Sequence, residues 1–183
     1  MHDALTVRAD TERWLARAVV GLNLCPFAKA THAKGLVHIA LTDARDEDRL
    51  LTDLERELDD LLACAESERE TSLIVIPHML AEFLDFHAFA ARAERVLRRR
   101  GLEGVIQLAT FHPAYQFAGT DPDDVTNFTN RSPYPTLHLL RESSIDRAVQ
   151  AFPDAAPIYE SNMETLRRLG PQGWAALNVG ASP

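Results

Sequence analysis

Lysine is almost missing from this sequence: in 183 residues only Lys29 and Lys34 carry an ammonium group. Arginine included, 19 basic residues face 27 acidic ones, leaving a formal net charge of −8. A partner with a phosphate backbone needs a basic surface that releases counterions, so nucleic acid is not an expected partner. Cysteine is nearly as scarce. Cys25 and Cys64 are the two thiols, and in a reducing cytosol they are expected to stay free. No apolar run reaches the roughly 18 residues of a membrane span, and MHDALTVRADTERW has no basic segment leading into an apolar one. The expectation is a cytoplasmic protein with no membrane partner. Several signatures are also absent. Without GxGxxG, GxxxxGK[ST] or GxSxG there is no dinucleotide fingerprint, P-loop or nucleophile elbow, and no cofactor is expected. Without CxxC, HxxxH or HExxH, a divalent metal on Cys25, His112 and His138 is the least favoured alternative.

What is present alternates between two periods. Asp10 can cap a helix over TERWLARAVVGL, with Trp14, Leu15, Ala18, Val19 and Leu22 on one stripe. LVHIALT then reads as a strand, followed by a helix with Leu50, Leu51, Leu54, Leu58, Leu61 and Leu62 on one face. TSLIVIP is a buried strand, HMLAEFLDFHAFAARAERVLRRRG a long helix stopped by Gly101, and GVIQLATF a third strand. Within the segment HPAYQFAGTDPDDVTNFTNRSPYP a short helix is expected at VTNF, because Asp121-Pro122-Asp123-Asp124 has the chemistry of a helix start. TLHLLRE reads as a fourth strand. Ser143 or Ser144 can cap the next helix, and Pro157 opens a last one that Gly170-Pro171 closes. This order predicts an α/β fold bordering α+β, as a single domain over residues 1–183. Its sheet is mixed, roughly four-stranded and mostly parallel, with five or six flanking helices.

In such sheets ligands bind beyond the carboxyl ends of the parallel strands. Asp43, His78 and His112 follow the first three strands there. If the fourth strand is antiparallel to the third, the whole loop stays at that edge and adds Tyr115, Gln116, Asn127, Asn130, Arg131 and Tyr134. Arg131 with Asn127 and Asn130 can clamp an anion. His112 titrates near neutrality and suits a general base. His138 lies within a strand pattern and reads as a core histidine. Cys25 stands directly before Pro26; if Pro26 starts a helix over PFAKATHA, Cys25 is its cap and the dipole favours the thiolate. A thiol filling a corner of the core is the alternative.

Three stretches together, GLNLCPFAKA, TFHPAYQFAG and NFTNRSPYPTLHLLRE with the later PIYESNMETLRRLG, resemble the bacterial family known as domain of unknown function 1415. The resemblance runs over essentially the whole chain. It implies that Cys25, Pro26, Phe27, His112, Pro113, Asn127, Asn130, Arg131, Ser132, Pro133, His138 and Arg141 occupy the family's motif positions, and it carries no reaction with it. CPFA is also similar to the opening of glutathione-transferase-type thioredoxin domains, but there a strand precedes the cysteine and here a helix does.

The leading expectation is a small enzyme acting on a small anionic metabolite or peptide by hydrolysis or acyl transfer. Cys25 would be its nucleophile and His112 its base, with Asn127, Asn130, Arg131, Tyr115, Gln116 and His78 as substrate contacts. The alternatives are a non-catalytic anion-binding or regulatory module with a structural Cys25, and a metal-dependent enzyme.

Overall fold

A computed structural model describes residues 3–151 and 156–182. In chain order it contains α1 (Ala4–Trp14), which continues as a π-helical segment (Leu15–Val20), then α2 (Ala28–Ala33), β1 (Val37–Leu41), α3 (Glu47–Ala63) and β2 (Thr71–Val75). There follow α4 (Phe83–Arg99), β3 (Ile106–Phe111), a 3-10 turn (Val125–Asn130), β4 (Thr136–Arg141), α5 (Glu142–Ala151) and α6 (Ala156–Ala176). The four strands form one mixed sheet in the order β1-β2-β4-β3, and the class is α/β.

Only β1 and β2 pair in parallel; β4 is antiparallel to both of its neighbours, so "mostly parallel" is corrected. The reason lies in the crossovers. α3 carries the chain from β1 to the adjacent β2, but α4 carries it one strand position too far. β4 then fills the gap between β2 and β3 from the opposite direction. In this register His138 stands opposite Leu73 on one side and Ala109 on the other.

Strand alternation gives each face of the sheet its own core. On one face Ile74, Leu137 and Leu139 meet α3 and α4. Leu50, Leu54, Leu58 and Leu61 of α3 recur at helical spacing and are fully buried, each such burial contributing roughly 1.5–3 kcal/mol. The Asp46 carboxylate caps α3 by accepting from the Arg49 N–H at 2.8 Å, and α4 stops at Gly101, whose φ of 66° suits glycine. On the other face Val7, Trp14, Leu15, Ala18 and Val19 cover Ile39, Leu73 and Val75.

α1 begins earlier than its sequence pattern suggests. Asp3 is its cap, accepting from the N–H groups of Leu5 and Thr6 at 2.9 and 3.1 Å. Asp10 is instead a buried mid-helix carboxylate that accepts from Tyr134 Oη at 2.8 Å, from the Ser182 N–H and hydroxyl at 2.7 Å each, and from Arg13 at 2.6 Å. Burial alone would raise its pKa, but the bonds from Ser182, Tyr134 and Arg13 outweigh it and hold the carboxyl below its ordinary value. The tail is thereby fastened to α1.

The second face is incompletely roofed. α2 has six residues and none is buried, and α5 leaves β4 directly at Glu142, with no serine-capped turn between them. α6 breaks at Gly170, where φ 67° and ψ 174° end the first helical stretch and Pro171 starts a second. Trp174 beyond the break stacks on Phe128 at 4.9 Å.

Candidate functional site

Because β4 runs antiparallel to β3, the segment between Phe111 and Thr136 does stay at the carboxyl edge of β1, β2 and β3. Its polar groups, however, are turned onto the loop itself. Asn127 is fully buried: its Oδ1 accepts from the Phe117 N–H at 3.0 Å and the Thr120 hydroxyl at 2.8 Å, and its Nδ2 donates to the Asp121 carbonyl at 2.8 Å. Asn130 donates to the Thr110 carbonyl at 3.1 Å. Arg131 donates to the carbonyls of Tyr115 and Pro122 at 3.3 and 2.6 Å and lies 4.8 Å above the Phe128 ring. Gln116 donates to the Thr120 carbonyl at 2.5 Å, and Tyr115 packs on Phe83 and Phe117 at 5.2 and 5.0 Å. The anion clamp is therefore not assembled, since a long loop without regular pairing must satisfy its backbone with its own side chains. His78 is half-buried in the bend after β2, and Asp43 is exposed after β1.

His112 lies apart from the thiol. Its ring is fully buried between Phe86 and Phe83 of α4, at 5.1 and 5.4 Å. Nδ1 accepts from the Ala114 N–H at 3.0 Å, so the ring proton sits on Nε2, which donates to the Leu80 carbonyl at 3.0 Å. Both nitrogens are occupied. Leu80 has φ 58°, a left-handed conformation rare for a bulky residue, and the His112 bond helps to hold it there. Burial pushes the His112 pKa down, against the opposing effect of the Leu80 carbonyl. This ring faces α4, whereas Cys25 packs with Trp14 and Phe111 on the opposite face. The structure does not bring the expected Cys25–His112 pair together.

Cys25 meets a different histidine. A cavity of about 610 Å³ lies on the second face, over the amino-terminal half of β1 and β2, and both Cys25 and His138 line it. Its floor is the sheet, including Leu73, Ala109 and Phe111, and its walls come from Leu15 and Val19, from α2 and from α5. Lys34, Glu70, Arg141 and Arg147 are its charged lining residues; Arg147 faces Glu70 at 3.3 Å, and Lys34 and Arg147 are exposed, so the cavity meets solvent there. The helix over PFAKATHA begins only at Ala28, with Phe27 as its cap position, so Cys25 sits in the preceding turn and not at a helix cap. Burial pushes the Cys25 thiol up, although the N–H groups of Ala28 and Phe27 favour the thiolate.

The protonation of His138 follows from its neighbour. The Thr71 hydroxyl donates to the Leu139 carbonyl at 2.7 Å and lies 2.5 Å from His138 Nε2. A carbonyl only accepts, so the single hydroxyl proton goes to Leu139 and the hydroxyl oxygen accepts from Nε2–H. Nδ1 then carries a lone pair. Among the described residues it has no hydrogen-bond partner, and it is not sealed from solvent-sized space. Burial pushes the ring pKa down to about 4, so the ring is neutral at pH 7. No hydrogen bond joins it to the Cys25 thiol. The sequence signal for this site was His138 itself, a polar side chain alternating with Leu137 and Leu139 within a strand.

The three candidate metal ligands divide between the two faces, Cys25 and His138 on one and His112 on the other. Among the described residues no group of three or more His, Cys, Asp or Glu converges, and no helix is long and apolar enough to cross a membrane.

No curated protein and no solved structure matches this chain. The family described as "Protein of unknown function (DUF1415)" matches residues 6–176, from α1 to the end of α6. The stretches that form the turn at Cys25, the edge loop and the strand bearing His138 all lie inside that match, and the chain belongs to the DUF1415 family.

Proposed function

We propose that this protein binds a small, largely apolar molecule in the cavity above His138, with the His138 ring and the Cys25 thiol as its polar contacts. The observation that carries the reading is the space itself, about 610 Å³ with an apolar floor. That volume falls within the roughly 300–1,000 Å³ usual for small-molecule sites. A small-molecule partner rather than nucleic acid suits the net charge of −8, and a cytoplasmic setting suits two free thiols. An anionic substrate at the edge loop is disfavoured, because Arg131, Asn127 and Asn130 already donate to backbone carbonyls.

A second reading, a cysteine-dependent hydrolase or acyl transferase, is supported by Cys25 and His138 lining one cavity, with His138 in the part expected of His112. Burial favours the neutral forms of both groups, and a neutral pair suits binding better than nucleophilic attack. Calorimetric titration with 1-naphthol tests the binder, and the variant Ala109→Phe, which fills the cavity from its floor, is the control. Saturable binding to the native protein and its loss in a cooperatively folded Ala109→Phe is the expected result. Absence of saturable binding to the native protein would overturn the proposal. Iodoacetamide labelling of Cys25 separates the two readings: an apparent pKa above about 8.5 fits the binder, whereas one well below it favours the enzyme.

A further inference from the structure

We propose that the molecule taken by this cavity is neutral and largely apolar, and carries one hydrogen-bond donor at its buried end, a phenol, an alcohol or an amide N–H, aimed at His138 Nδ1. The inference deepens the reading of the cavity as a small-molecule site and rests on it. Its starting point is the chain of bonds from the Leu139 carbonyl through the Thr71 hydroxyl to His138 Nε2. The carbonyl can only accept, the hydroxyl gives it its single proton, and the hydroxyl oxygen then accepts from Nε2–H, so the tautomer is fixed from the sheet outward. A ligand therefore meets an acceptor at Nδ1, whatever else it brings.

The surroundings of Nδ1 narrow the class further. His138 stands between Leu73 and Ala109 across the sheet, and Phe111 lies 5.9 Å from its ring. Ala109 is the small member of this floor, and the room beside the histidine opens above it. An acceptor-only group placed here would set lone pair against lone pair, with both left unpaired in an apolar setting. A carboxylate beside the ring would meet a neutral imidazole, and of the cations that line the cavity Arg141 already donates to the carbonyls of Leu61, Cys64 and Arg69 while Arg147 pairs with Glu66 and Glu70. Glu70 accepts from Thr31 at 3.0 Å and faces the exposed Arg147 at 3.3 Å. Among the described residues no hydrogen bond joins the Cys25 thiol to the ring, Trp14 Nε1 donates to the Arg131 carbonyl, and Arg141 donates to the carbonyls of Leu61, Cys64 and Arg69. The acceptor is thus available to a ligand, and only a donor satisfies it.

Matched probes test this on the native protein. 1-Naphthol and 1-methoxynaphthalene share a ring system but only the first donates, and 1-naphthoate adds a charge. Calorimetric titration is expected to show 1-naphthol binding threefold to tenfold tighter than 1-methoxynaphthalene, about the value of one net hydrogen bond, with 1-naphthoate weakest. In His138→Leu that preference disappears while 1-methoxynaphthalene still binds. Equal binding of the two neutral probes to the native protein, or tightest binding of 1-naphthoate, overturns the donor assignment and leaves the cavity reading standing. Failure of every probe overturns the cavity reading and this inference with it. Independently of any variant, ¹⁵N-histidine NMR reads the tautomer: an unprotonated Nδ1 on His138 is expected, and a protonated Nδ1 overturns the proposal.

Discussion

A single peptide bond separates Phe111, whose ring lines the cavity, from His112, whose ring lies against α4. Alternation across the sheet makes that bond decisive, since consecutive side chains leave a strand on opposite faces. His112 is therefore packed and hydrogen-bonded on the α4 face, and its replacement has a specific cost. His112→Ala removes a ring packed between Phe83 and Phe86 and two hydrogen bonds, one of which restrains Leu80. Urea denaturation is expected to show a loss of about 2–4 kcal/mol, while the rate of Cys25 alkylation stays at its native value. A change in that rate with stability intact would return His112 to the thiol's neighbourhood. The candidate site was only partly legible at this scale. Cys25 drew attention through its proline, and that residue does line the cavity. His138 reads as a core histidine in the sequence because one strand alone does not reveal whether the face beyond it is filled. The edge-loop residues misled because a side chain that recognises an anion and one that ties down a carbonyl use the same donors.

At the scale of elements, α3 shows how a helix end can be completed from elsewhere in the chain. Its first turn is acidic and capped by Asp46, but its last turn has no basic residue and ends at Cys64 without a glycine. Arg141 from the end of β4 supplies what is missing, donating to the carbonyls of Leu61, Cys64 at 2.7 Å and Arg69 at 3.3 Å. Carbonyls in the last turn of a helix have no partner inside it, and a cation there opposes the dipole. Arg141→Ala is expected to cost about 1–3 kcal/mol of stability and to raise amide hydrogen exchange in the last turn of α3 before it does so in α4. Uniform exchange in both helices would argue against a local role. α3 and α4 were readable in the sequence because leucine and phenylalanine recur at helical spacing with few interruptions. The placement of β4 was not, because strand order depends on pairings between distant segments and no local period encodes it. α1 was placed late because Asp10 has the chemistry of a cap, and only the folded tail shows its different use.

For the molecule as a whole, two neutral histidines, His112 buried and His138 half-buried, make stability depend on mild acid. The pKa of His138 falls from an ordinary 6.5 to about 4 on folding, and that of His112 is also lowered by burial. Protonation therefore favours the unfolded chain. The His138 contribution is complete above pH 6.5 and is lost as the pH falls toward about 4. Across that window the loss is roughly 3 kcal/mol. Urea midpoints measured through the window are expected to fall with pH, and to fall less steeply in His138→Leu. A flat profile in the native protein would mean that the ring is solvated, and the cavity more open than its apolar floor implies.

The order β1-β2-β4-β3 has a consequence for how the chain is made. Synthesis runs from the amino terminus, and domains acquire their contacts as segments emerge. β1 and β2 can meet once α3 is available to cross between them. β3 then emerges with no neighbour in place, because its one partner in the finished sheet is β4. The strand that carries His138 is also the one that joins the two halves, so the four-stranded sheet and the floor of the cavity need β4, which ends at Arg141. A nascent chain stalled before that point can hold the parallel pair β1 and β2 but leaves β3 with no strand beside it, so the four-stranded sheet and the cavity floor are expected to depend on the same late strand.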